Sequence, residues 1–159
     1  MFSRTHESNT VKCVMKKITR FSLYSINQIR YFRYICGKSA YQLALDIKRS
    51  KNYISSAENP NSINRINVAD YPSIAFELGI DLHSIIPPAN WKVSDSHEKV
   101  DKVVDSLSDP DFVKRVLHGI KDSRYVDRLE DLDKLYRHLS TKDATERAVI
   151  QKVWAEFRA

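Results

Sequence analysis

Residues 39–59 read SAYQLALDIKRSKNYISSAEN, and the fold turns on how this stretch is parsed. Ser39 and Gln42 have the spacing of a capping box, in which two side chains satisfy each other's free backbone N–H groups at a helix start. Leu43, Ala44 and Ile47 follow at helical spacing and predict a short helix with one apolar face. Ser50 is placed to cap a second helix from Lys51 to about Glu58, with Ile54 and Ala57 facing inward. Lys48 and Arg49 join the two. No period-two alternation occurs here or elsewhere, so the chain is expected to be all-α.

Working upstream, Ile26, Ile29, Phe32, Arg33 and Ile35 recur at three- and four-residue spacing from Ser25, and Gly37 stops that helix. Residues 1–24 lack the uninterrupted apolar stretch of a secretory signal. Their Lys16, Lys17 and Arg20 predict a basic, flexible arm instead. Met15 also reads as a translation start, which would leave residues 1–14 dispensable. Downstream, an Asn/Ser-rich loop surrounds Pro60. Val68 to Leu78 predicts a fourth helix ended by Gly79, with Pro72 in its first turns, where proline is tolerated. Asp81 precedes a short fifth helix carrying Leu82, Ile85 and Ile86, stopped by Pro87 and Pro88.

Residues 25–88 therefore read as one five-helix unit and 89–95 as a linker. Residues 96–159 read as a second helical module. In it, Val100, Val103, Val104 and Leu107 share a face, and Asp109-Pro110 opens a helix through Ile120. Val126, Leu129, Leu132, Leu135 and Leu139 form a further stripe, and Asp143 with Glu146 caps a last helix through Phe157.

Charge separates these segments. The chain has 159 residues, 26 Lys and Arg against 20 Asp and Glu, and a net charge of +6. Residues 1–60 hold eleven basic and three acidic residues, a net of +8. Residues 61–90 carry a net of -2, and 91–159 are balanced at fourteen of each. A basic first third suggests a polyanionic partner for that third alone. The two cysteines, Cys13 and Cys36, are too few for a disulfide framework and point to a reducing compartment. No apolar run approaches the ~20 residues that span a bilayer.

Two short helices joined as in residues 39–59 have the dimensions of a helix-turn-helix. An α-helix fits the major groove of B-DNA, and its first turns reach base edges while the preceding helix crosses the backbone. Lys51, Asn52, Ser55 and Ser56 face outward on the second helix and are assigned to bases, since each donates or accepts hydrogen bonds there. Ser39, Lys48, Arg49, Tyr53, Asn59 and Arg65 are assigned to phosphates.

The stretch from about Ile26 to Ile86 resembles the lambda-repressor-like, Cro/XRE-type helix-turn-helix family. The Leu43-Ala44 pair is similar to that family's second-helix signature. Ser50, Ile54, Ser55, Glu58 and Asn59 are similar to its recognition helix and exit, and Ala75, Leu78, Gly79, Ile80, Asp81 and Leu82 to its closing element. The resemblance implies a buried pair between Arg33 on the first helix and Glu58 at the end of the third. The chain departs from the family at Ala40, where glutamine is frequent, at Lys48, where a small residue is common, and at Pro60, where glycine is usual. These departures bear on operator contacts more than on fold.

Other chemistries find little support. His6, His83, His97, His118 and His138 have no partner at metal-ligand spacing. Asp127, Glu130, Asp131 and Asp133 are followed by Lys134 and Arg137 at helical spacing, which reads as a salt-bridged solvent face rather than an acid-base site. The expectation is a non-enzymatic, cofactor-free regulator, cytoplasmic and nucleoid-associated. It would bind double-stranded DNA as a homodimer held by residues 96–159, acting as a repressor. The alternative is an antitoxin-like or adaptor protein that binds a protein partner through residues 96–158.

Overall fold

The structure is a computed structural model and describes residues 17–59, 62, 64–90, 97–99, 106–123, 129–139 and 141–159. Among these the chain is mostly helical, with seven α-helices. No helix of the described residues is long and apolar enough to cross a membrane.

The first helix, α1 (Arg20–Cys36), starts five residues earlier than the periodicity from Ser25 implied. Thr19 sets that start, its side chain accepting from the Ser22 backbone N–H at 3.2 Å. The end of the expected arm is thus built into the fold. Lys17–Thr19 (β1) pairs antiparallel with His97–Lys99 (β2), and Ile18 is buried. Two strands of three residues carry too short a pattern to stand out in sequence, which is why no strand was expected.

α2 (Ala40–Asp46) and α3 (Tyr53–Glu58) follow, both shorter than their predicted spans. A 3-10 turn over Val68–Asp70 then leads into α4 (Tyr71–Leu78). The predicted single helix from Val68 is therefore split. Pro72 falls at the very start of α4, where its missing N–H costs nothing. The predicted fifth helix is only a 3-10 turn, Leu82–Ser84, begun by Asp81, whose side chain accepts from the His83 backbone N–H. Beyond it lie α5 (Pro110–Lys121), α6 (Leu132–His138) and α7 (Ala144–Arg158). Asp109, Asp131 and Asp143 cap these three with their carboxylates. Asp131, expected in a salt-bridged face, thus serves its own helix. Cys13, the linker from 91, the predicted helix positions Val100, Val103 and Val104, and Val126 lie outside the described residues.

Apolar burial divides into two cores. Ile26 and Ile29 of α1, Leu43 and Ala44 of α2, Ile54 and Ala57 of α3, and Ile74 and Leu78 of α4 make the first. Phe112, Val113, Val116, Leu117 and Ile120 of α5 meet Leu135, Ile150, Val153 and Trp154 in the second. Each such side chain contributes about 1.5–3 kcal/mol when fully buried. The second core also contains Tyr34 and Ile35 of α1, so residues 96–159 do not close it alone. Tyr34 meets Phe112 edge-on, with ring centres 6.0 Å apart.

The α1–α5 crossing depends on Gly119. A Cβ added there would stand 2.5 Å from both the Ile35 Cδ1 and the Tyr31 hydroxyl. Alanine at an open helical position stabilises by up to about 1 kcal/mol relative to glycine, but overpacking costs about 1–3 kcal/mol. Gly119→Ala is therefore expected to lower the unfolding free energy by about 1 kcal/mol net, read from the shift in a urea unfolding midpoint.

Candidate nucleic-acid interface

The surface around α3 rests on a buried ion pair. Arg33 donates from Nε to Glu58 Oε1 at 3.0 Å and from Nη2 to Oε2 at 2.7 Å, with both residues buried. Its Nη1 reaches the Lys38 carbonyl at 3.2 Å. Removal from water works against the guanidinium's charge, but Glu58 more than restores it, so the Arg33 pKa lies above its ordinary value. Two-point contact fixes the angle between α1 and the end of α3.

α2 begins at Ser39, whose hydroxyl accepts from the Gln42 backbone N–H at 3.0 Å. The reciprocal half of the expected capping box is absent, because the Gln42 side chain turns to Asp46 Oδ1 at 2.7 Å. Asp46 also takes Lys38 Nζ at 2.7 Å, and these hydrogen bonds hold its carboxyl below the usual carboxylate range. The helix closes at Lys48, which adopts φ 61°. Arg49 N–H bonds to the Ala44 carbonyl and Lys48 N–H to that of Leu45. Gly37 closes α1 by the same pattern at φ 70°. Lys48 thus occupies a left-handed position that glycine ordinarily fills.

α3 starts at Tyr53 rather than Lys51, so Lys51 and Asn52 occupy the preceding turn. Ser50 enters that turn through its carbonyl, which accepts from Tyr53 N–H, and its hydroxyl caps nothing among the described residues. Asn52 takes the N-cap position without a side-chain cap. Among the nine described helices and 3-10 turns, seven use the N-cap side chain on a backbone N–H. Only Asn52 and Asp70 do not.

The sequence-assigned residues fall into three groups. Asn52, Tyr53, Ser56 and Arg65 line one groove of about 370 Å³, together with Ser50, read from the sequence as a cap, and Asn64, which sequence reasoning did not single out. None of the described residues lining it is acidic. Lys51 and Ser55 are exposed nearby in sequence, with the Ser55 hydroxyl donating to the Asn52 carbonyl. Ser39, Lys48, Arg49 and Asn59 lie outside the groove lining; Ser39 is committed as a cap, and Asn59 ends α3.

Arg65 and Arg49 are less free than their assignment to phosphates suggested. Arg65 turns its Nη1 back to the carbonyls of Ser62 and Asn64, and partial burial lowers its pKa. Arg49 is paired with Asp70, at 2.8 Å from Nη2 and 3.2 Å from Nε, and stands over the Tyr53 ring at 5.5 Å. Tyr53 donates its hydroxyl to the other Asp70 oxygen at 2.5 Å. Burial works against the Asp70 carboxylate, yet these hydrogen bonds hold its pKa below the ordinary aspartate value. No local signal could reveal Asp70, because it lies 21 residues from Arg49.

No group of acids, histidines and cysteines among the described residues has metal-binding geometry. The chain matches no protein-family model, no curated protein and no solved structure.

Breaking the ion pair on one side strands a buried charge. Glu58→Ala is expected to cost about 3–5 kcal/mol, whereas Arg33→Met combined with Glu58→Leu should cost less, its remaining cost set by Arg30, whose Nη1 lies 3.9 Å from Glu58 Oε2. Equilibrium unfolding of both variants checks this. Lys48→Gly is expected to raise stability by about 0.5–1 kcal/mol, the left-handed strain relieved less the entropy that glycine adds to the unfolded chain. A higher thermal midpoint is its readout.

Proposed function

We propose that the protein is a sequence-specific, double-stranded-DNA-binding regulator. In this reading α1 to α4 and the turn Leu82–Ser84 form a lambda-repressor-like helix-turn-helix unit, with α3 and the turn before it in the major groove. The observation that carries it is the polar groove beside α3, opened by an Asn52 amide that no described residue engages. A side chain that forgoes capping gives up roughly 0.5–2 kcal/mol of helix stability. That cost is offset if the amide pairs with adenine N6 and N7 when the groove is filled. Lys51, exposed and with three donors, suits guanine O6 and N7, and Ser55 and Ser56 suit either base type. Arg49, Lys48 and Arg65 supply positive charge at the rim, where phosphates run. The net +8 of residues 1–60 agrees with a duplex partner for this part of the chain.

Repression, and dimerisation through α5–α7 with half-sites about 34 Å apart, belong to the same reading. Selection of bound duplexes from a random pool tests it, with half-site spacing read from the sequences recovered. Lys51→Ala is expected to cost about 1–3 kcal/mol and to relax preference at one base pair. Arg49→Ala should weaken selected and unrelated duplexes both and lower the salt slope. Duplex affinity unchanged in a Lys51, Asn52 and Arg49 triple alanine variant would refute the assignment of this surface.

A further inference from the structure

Glu58 and Asp70 are the buried carboxylates of the described residues. Glu58 is matched by Arg33 inside the fold, but Asp70 is spent at the rim of the candidate interface. Asp70 occupies the N-cap position of α4 and does not cap it. Its Oδ1 accepts two N–H groups of Arg49, and its Oδ2 accepts the Tyr53 hydroxyl, which itself accepts the Asn67 backbone N–H at 2.8 Å. A carboxylate beside a surface meant for a polyanion opposes binding by simple charge, so another gain must account for it.

That gain is visible in the geometry. A guanidinium has five N–H donors, and Asp70 uses two, leaving three on a side chain 45% exposed. The same carboxylate binds the first residue of α3. One group therefore sets the phosphate-facing arginine and the base-facing helix relative to each other.

Resting on the DNA-binding reading above, we propose that Asp70 is a positioning residue for sequence discrimination, holding Arg49 in one orientation against Tyr53 so that a backbone phosphate docks in fixed register with the bases facing α3. A mobile arginine would meet phosphates in many geometries and favour every duplex equally, because phosphate contacts carry no sequence information of their own. A held arginine favours the one docking register in which Lys51, Asn52, Ser55 and Ser56 reach base edges. Asp70 trades general affinity for discrimination: it partly neutralises Arg49 and restricts it.

The full-length protein is titrated with two fluorescent duplexes, one recovered by selection from a random pool and one of the same composition scrambled, over a range of salt. Asp70→Asn is expected to reduce the ratio of selected to scrambled affinity about tenfold, chiefly by tightening the scrambled complex. It should also steepen the salt dependence, as Arg49 regains its full charge. In an Arg49→Ala background the same substitution should leave the ratio unchanged, an outcome that a merely structural role for Asp70 would not give. Arg49→Lys keeps the charge without the two-point hold and should reproduce the lost ratio; being a surface change, it serves even if Asp70→Asn fails to fold. A ratio retained by Arg49→Lys, or an equal Asp70→Asn effect without Arg49, overturns the positioning role and leaves DNA binding standing. Failure of the unaltered protein to bind any duplex overturns the DNA-binding reading and this role with it.

Discussion

Arg33 and Glu58 must stay paired because both are out of water, and that requirement organises the first core. Desolvating two charges gains little net stability, so the pair is better understood as a geometric constraint. Its two parallel hydrogen bonds join the last turn of α1 to the last residue of α3, and a third bond reaches the Lys38 carbonyl just beyond α1. α3 is only six residues long and would not persist as an isolated helix. It is held by Ile54 and Ala57 beneath it, by Glu58 at one end and by Tyr53 at the other. A helix clamped at both ends can present side chains at a defined angle. That is the property the proposed reading of base edges requires.

α1 carries a second constraint. Its face with Ile26 and Ile29 belongs to the first core, while Tyr34 and Ile35 belong to the second. The two parts of the chain are thus coupled through one continuous helix. Gly119 lets α5 approach that helix closely at Tyr31 and Ile35. Any event in the second core that moves α5 would be felt by the helix that also carries Arg33.

Much of this was legible along the chain because helix ends are local chemistry. Ser39, Asp81, Asp109 and Asp143 accept backbone N–H groups two or three residues on, within the span over which sequence spacing is informative. Most residues of the apolar stripes that predicted the helices are buried, with Leu82 exposed and Phe32, Ile47, Ile86 and Leu132 only partly buried. The misreadings have equally physical causes. The start of α1 was missed because Thr19 outweighed the polar residues that blur the pattern before Ser25. α3 was drawn two residues too long because Ser50 resembles a cap, whereas its carbonyl, not its hydroxyl, enters the turn. Asn64 joined the groove only because the chain after α3 folds back beside it.

Composition and periodicity by themselves determined a mostly helical chain, a basic first third, two short adjacent helices after Gly37 and most of the apolar residues that form each core. Those properties depend on neighbours within a turn or two, and on charge, which sums without regard to fold. Tertiary structure alone decided that Arg49 answers to Asp70, that Tyr53 links them to α3, and that α1 serves both cores. Each of these joins residues distant in sequence, where no spacing rule operates and only the closing of the chain in space brings the groups within hydrogen-bond reach.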